Sequence, residues 1–334
     1  MVKVTVHPAS GRKLALAPSL PVTLDISGKT PDVATVADVK AALAAKYPRF
    51  YTSRQKLALK GDKKALKDEA TLASSEVTEG SELDAKDLGP QISWTTVFVI
   101  EYIGPLIIHP LMYYFPKVVY GGAVQHSLLQ QYVFVMVMLH FLKREYETLF
   151  VHRFSHGTMP FNFVFRKCVP KPRSSLTWGM LITSFSSAHY HLLGGLGLAY
   201  PVYSPTYSAA SPYIRGTIRD DPKFLWACIA VWLFAELSNL KTHIALRNLR
   251  PPGSTKRAIP YGYGFDLVSY PNYTFEILGW IVVSVMTGSY GSWVFTIAGA
   301  GTMINWALNK HQKYKKDFGK EYPKHRKAII PFVL

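Results

Sequence analysis

Hydrophobic positions follow two regimes along this chain of 334 residues. In the first ninety or so residues they come in short runs. VKVTVH (2–7), PVTLDI (21–26) and QKLAL (55–59) alternate with the period of half-buried strands. TVADVKAALAAKYP (35–48) has helical spacing, with Thr35 and Asp38 three apart as in a capping box and Pro48 past the end. LASSEVTEGSELDAK then supplies a turn and a last strand. From Trp94 onward the apolar runs lengthen to the roughly 20 residues that cross a bilayer core. They lie near 93–115, 124–143, 175–200, 223–247, 273–288 and 290–310. The pattern predicts a multi-pass α-helical membrane domain of about six spans behind a small mixed β domain.

Charge sharpens this division. Residues 1–90 hold 14 Lys/Arg and 11 Asp/Glu, whereas 91–334 hold 24 and 10 and all seven tryptophans. The net charge of +17 therefore does not indicate nucleic acid; most of the excess sits in loops beside apolar runs, facing anionic lipid or an acidic cofactor. The stretches 143–173, 248–271 and 310–327 are basic, while 116–123 and 201–222 are not. An even number of spans then puts both termini in the cytosol. Consistent with that, no secretory signal precedes the first domain. Cys168 and Cys228 are too few and too separated for a disulfide framework or a metal cluster. The order hairpin, helix, strand, turn, strand resembles ubiquitin over 1–86, which implies a β-grasp domain, a linker at 87–92 and a membrane domain over 93–334. No diglycine ends the first unit, so it reads as a docking module or a folding appendage rather than a conjugated tag.

Ionisable residues inside the apolar runs carry the candidate chemistry, because such groups are costly at membrane depth and face a cavity or a partner. On one helix, Glu236, Asn239, His243, Arg247 and Arg250 fall within about 80° of arc. Trp232, Phe234, Leu237 and Ile244 are expected on the opposite face. A stripe that is amide-like when deep and cationic at its exit suits a long anionic ligand, or else forms a polar packing seam ending in Arg caps. Glu101 lies about 10 Å inside the first run, and Pro105 and Pro110 loosen the helix that carries it.

KREYETLFVHRFSHGTMP (143–160) is a second cluster. His152 and His156 share a helical face and could ligate a metal, but the only other close pair is His189 and His191 in HxH, so no metal site is expected. Arg144, His152 and Arg153 are instead expected to line a cytosolic mouth and meet substrate phosphates, with Glu145 and Glu147 balancing charge there. In PNYTFE (271–276), Asn272 can cap a helix or meet a ligand. Tyr273 is one turn from Glu276 and is a usable proton donor when its phenol is polarised. The tail 310–334 is polybasic, suited to headgroups, and its apolar end is expected to fold back on the membrane domain.

Four blocks, LKREYETLFVHRFSHGTMP, HIALRNLRPPGS, RAIPYGYGFDLVSYPNYTFE and KEYPKHRKAIIPFVL, occur in order and resemble the very-long-chain trans-2-enoyl-CoA reductases of the steroid 5α-reductase superfamily. The resemblance implies reduction of very-long-chain enoyl-CoA by NADPH in the endoplasmic-reticulum membrane, beside the other fatty-acid elongation enzymes. It places Tyr273 on the family's essential tyrosine and Glu101 on its membrane glutamate, as the catalytic pair. It implies cofactor contacts at Asn239, His243, Arg247, Arg250, Arg257, Asn272, His311, Tyr314 and Arg326. His243 stands where the steroid enzymes have aspartate, and Arg153 where they have a catalytic tyrosine, which argues against a steroid substrate. Alternatives are a reductase of another enone lipid (a steroid or a polyprenol), a membrane methyltransferase, whose RHP and paired-glutamate signatures are absent here, and a non-catalytic scaffold.

Overall fold

The computed structural model describes the chain except residues 1, 10, 12, 27, 155–156, 162–188 and 250–257. Contacts divide it into two compact units, 1–93 with 158–163, and 94–157 with 164–334.

In the first unit the strands are β1 (Val2–Pro8), β2 (Val22–Ile26), β3 (Gln55–Leu59) and β4 (Glu82–Asp87), ordered β2-β1-β4-β3. The outer pairs are antiparallel, while β1 and β4 run parallel at the centre. Helix α1 (Val36–Lys46) starts at Thr35, whose hydroxyl and the Asp38 carboxylate cap each other's backbone as the spacing predicts. Val4, Val6, Val39, Leu43, Leu57 and Leu83 are buried between helix and sheet, which makes this a β-grasp-like domain. The segment expected as a linker at 87–92 is more ordered than its short pattern suggests. Asp87 belongs to β4, and a fifth strand, β5 (Gln91–Ser93), pairs antiparallel with β6 (Thr158–Pro160). Such three-residue strands carry too little alternation to be read from one chain segment alone.

Asp87 also receives a two-pronged contact from Arg54, 2.9 Å from Nε and 2.6 Å from Nη2. Burial opposes its charge, but the Arg54 fork and the Gly89 amide outweigh it and hold the carboxyl below the ordinary aspartate range. Because the folded-state value is depressed, the stabilisation is present above the unfolded value near 4 and is lost as pH falls through the lower folded value. Asp87→Asn should accordingly flatten the acid limb of thermal stability; an unchanged limb would mean that the pair contributes nothing.

The second unit is helical: α2 (Trp94–Tyr114), α3 (Pro116–Tyr120), α4 (Leu128–Tyr146), α5 (Leu198–Val202), α6 (Pro222–Asn248), α7 (Pro271–Thr287) and α8 (Tyr290–Phe318). A π-helical turn, Glu147–Val151, extends α4, and another, His189–Gly197, leads into α5. Helices α2 and α6 are long and apolar enough to cross a membrane. Ile100, Ile103, Ile107 and Leu111 form an exposed stripe along α2, and Phe234, Leu237 and Ile244 are exposed on α6, apolar surface of the kind that meets lipid. Trp232, expected on that outer face, is buried instead. It precedes Glu236 by four residues and so shares the polar stripe's face. The first part of the run 175–200 lies outside the described residues.

The core of this unit gathers Tyr102, Phe141, Tyr203, Trp280 and Phe295. Backbones approach closely at Gly291, where an added Cβ would stand 2.0 Å from the Gly197 carbonyl oxygen. A backbone atom cannot rotate away as a side chain can. Gly291→Ala should therefore lower the melting temperature in detergent by several degrees, as overpacking does, while Gly301→Ala, with nothing within 4 Å, should not. Equal melting of the two variants would contradict this packing. At the other end of the chain, Ser269 and Tyr270 amides bond the carbonyls of Lys327 and Ala328 at 2.8 and 3.2 Å, so the tail does return onto its own unit.

Candidate active site

Helical spacing puts His140, Lys143, Arg144 and Glu147 on one face at the end of α4; Glu236, Asn239 and His243 share a face of α6, and Asn272 and Glu276 a face of α7. The three faces meet. His140 bridges two carboxylates, with Nδ1 2.8 Å from Glu236 and Nε2 3.3 Å from Glu276. Lys143 donates to Asn239 Oδ1 at 2.6 Å and lies 2.7 Å from Glu236. The Asn239 amide in turn donates to the Asn272 carbonyl at 2.9 Å and to Glu276 at 3.1 Å. One turn nearer the helix ends, Glu147 meets Arg144, and the His243 ring lies 3.1 Å from it. Arg144 also donates to the Tyr102 hydroxyl at 2.9 Å.

Three acids thus face Lys143, Arg144 and a histidine that can take a proton, and the balance explains how ionisable groups persist in an apolar bundle: buried charges are retained when paired and hydrogen-bonded. Burial alone would raise the Glu147 carboxyl, but Arg144, His243 and Lys143 outweigh it and hold it well below the usual range. His152, after the π-turn, moves the other way. Burial, then the positive charge of Arg144, pushes it down to about 3, leaving a neutral ring.

The expected site residues do not all fall in one place. Asn239, His243, Asn272, Arg144 and His152 are brought together, the His152 and His243 rings 4.9 Å apart. Arg153 and Arg247 lie at the exposed exit, where the Arg153 guanidinium donates to the Arg247 carbonyl at 3.2 Å. Glu101 is buried on α2 beside Tyr102. Tyr273 lies elsewhere, against α8, stacked on Tyr270 and accepting from Lys310 at 2.7 Å. His311 and Tyr314 belong to that second neighbourhood. His311 contacts the Ser269 hydroxyl at 2.5 Å, and Tyr314 stacks between Tyr270 and Tyr322. Arg326 is buried there, donating to the Pro260 carbonyl at 3.0 Å. Arg250, Arg257 and His156 lie outside the described residues.

Glu147, expected to balance charge at the mouth, is fully buried. His140, Lys143 and Glu276 complete the network beside Glu236, and the sequence alone does not mark His140 or Lys143 as members of it. Their common face within each helix is legible; which helices face one another is not. Glu147, His152 and His243 also offer ligand atoms within 4.8 Å of one another. The Arg144 guanidinium already lies 3.4 Å from His243 Nδ1 and pairs with Glu147, so positive charge is supplied there by the protein itself.

Sequence comparisons place this chain in a family. Residues 179–334 match the family described as 3-oxo-5-alpha-steroid 4-dehydrogenase, and residues 23–87 match the ubiquitin-like domain of TECR. The very-long-chain enoyl-CoA reductase of Dictyostelium discoideum is 41% identical over 92% of this chain and 95% of its own length. The chain belongs to the very-long-chain enoyl-CoA reductase family. A human trans-2,3-enoyl-CoA reductase-like protein is 31% identical over 92% of this chain and 80% of its own. Membership extends over both units, so the β-grasp-like domain is part of the family's architecture rather than an isolated addition.

Proposed function

We propose that this chain reduces very-long-chain trans-2-enoyl-CoA to saturated acyl-CoA with NADPH, the last step of fatty-acid elongation, in the endoplasmic-reticulum membrane. In this reading six spans put both termini, the basic segments and the CoA head on the cytosolic side, while the acyl tail threads between helices. The neighbouring elongation enzymes would supply the substrate. The observation that carries it is the amide and carboxylate group of Asn239, Asn272 and Glu276, deep in the bundle below a basic exit.

The chain's own residues fit such a cofactor. The Asn272 side-chain oxygen is buried with no hydrogen-bond partner among the described residues, and so is Arg326 Nε. Buried polar groups are seldom left unpaired, so an orphaned acceptor beside Asn239 and an orphaned guanidinium donor favour a ligand that bears both amide and phosphate groups. When bound, NADPH supplies hydride to the β-carbon. Asn239 and Asn272 would orient its amide, Glu276 would hold Asn239, and Arg247 with Arg250, Arg257 and Arg326 would meet phosphates. Arg144, His152 and Arg153 would hold the CoA end of the substrate. Tyr273 would deliver the proton to the α-carbon, and Glu101 would tune that tyrosine or orient the thioester. Metal chemistry has no part in this scheme.

Purified full-length protein should oxidise NADPH in step with loss of trans-2-enoyl-CoA, tested over several acyl lengths. Reduction of a steroid or polyprenol enone instead would make the substrate a different lipid. Binding of S-adenosylmethionine in preference to NADPH would indicate a methyltransferase, and no cofactor binding at all a scaffold.

A further inference from the structure

Lys310 is an exposed residue of α8 whose side chain does not extend freely into solvent. Its ammonium donates to the Tyr273 hydroxyl oxygen at 2.7 Å. The same nitrogen stands 5.1 Å from the Tyr273 ring centroid and 5.4 Å from that of Tyr270. Those rings stack 5.6 Å apart, and Trp306, one turn before Lys310, flanks Tyr273 at 6.3 Å. Among the described residues Lys310 makes no ion pair. The ammonium is retained by the Tyr273 phenol oxygen, beyond the edge of that ring, and by the Tyr270 ring.

A phenol oxygen that accepts from an ammonium has its own O–H free to point at a different acceptor. We infer that Lys310 is the positioning residue for Tyr273, and that it supplies the proton that restores the phenol after each turnover. The inference rests on the reading of Tyr273 as proton donor. The balance is closed. Hydride adds to the β-carbon, and the electron pair of the carbon–carbon double bond moves onto the α-carbon and thioester oxygen. The Tyr273 O–H bond breaks as the α-carbon takes its proton. The phenolate left behind takes a proton from the Lys310 ammonium across the existing hydrogen bond, and the neutral amine regains one from water, which its exposure allows. No further oxidant or reductant is needed. The ammonium meanwhile offsets the negative charge that develops on the phenol oxygen, a charge-assisted contact stronger than a neutral one.

The test compares Lys310→Met, Lys310→Arg, Tyr273→Phe and the Lys310→Met/Tyr273→Phe double variant in the full-length enzyme. Measured are kcat and KM for enoyl-CoA, NADPH affinity, and melting temperature. Lys310→Met should lower kcat by about 10–100-fold, the size of a lost hydrogen bond to a charged group, with KM, NADPH affinity and melting unchanged. Lys310→Arg keeps a cationic donor that does not give up its proton, so it should restore only the positioning part of the loss; complete recovery of kcat overturns the proton supply, and no recovery at all overturns the positioning role. The double variant should be no slower than Tyr273→Phe, because Lys310 acts only through that hydroxyl. Wild-type kcat in Lys310→Met, or independent multiplying losses in the double variant, overturns the inference while leaving Tyr273 in place. Near-normal kcat in Tyr273→Phe overturns the reading beneath it instead.

Discussion

Tyr273→Phe should fold, bind NADPH and turn over enoyl-CoA about 10²–10⁴-fold more slowly, the contribution of a positioned general acid. The substitution removes one hydroxyl. The ring remains stacked on Tyr270 and flanked by Trp306, so packing among Tyr270, Tyr314 and Tyr322 has little reason to change. Steady-state turnover at saturating NADPH and enoyl-CoA is the measurement that checks it. Near-normal turnover would put proton delivery on another group or on water. Glu101→Gln keeps the shape and hydrogen-bonding capacity of a buried side chain while removing its ionisation, and should slow turnover more than it lowers melting temperature.

The second large effect is on stability. Glu147→Ala should destabilise the helical unit by about 3–5 kcal/mol, the cost of removing one partner from a buried ion pair. Arg144 would be left without its carboxylate, and His243 without the oxygen 3.1 Å from Nδ1. Glu147→Gln retains an acceptor and should cost less. Thermal unfolding in detergent, with the yield of folded protein, distinguishes the two. Equal stability of Glu147→Ala and wild type would show that the charges around Arg144 are not mutually dependent.

These residues also show where sequence reading reaches and where it stops. The polar stripe of α6 was legible because one helical period fixes which residues share a face, and Asn239 and His243 do point inward with Glu236. The same period places Trp232 with them, and expecting it outside was an error of angle rather than of principle. Glu147 reads as a mouth residue because its pairing with Arg144 is local, and nothing within 143–160 reveals the second partner, His243 of a distant helix. Tyr273 and Glu276 are only three apart, yet one turns to Lys310 of α8 and the other to His140 of α4. The choice depends on helix pairing, which local patterning does not encode. In the first unit the strand alternation and the Thr35–Asp38 box were sufficient, since a small sheet is specified by period and turn positions. The three-residue strands β5 and β6 lacked that signal.

The charge balance between α4 and α6 bears on how the protein is made. Synthesis runs from the amino terminus, so α4, with His140, Lys143 and Arg144, is made before the chain from 147 to 221 and the whole of α6. Until Glu236 arrives, His140 and Lys143 lack a carboxylate that stabilises them in the finished bundle. Ionisable groups in an apolar setting are costly while unpartnered. The nascent protein therefore passes through a stage in which the residues of its future pocket are a liability, and that stage ends only when the helices close on one another. Substitutions at these positions will be felt first as lost abundance in the cell, before any enzyme can be assayed.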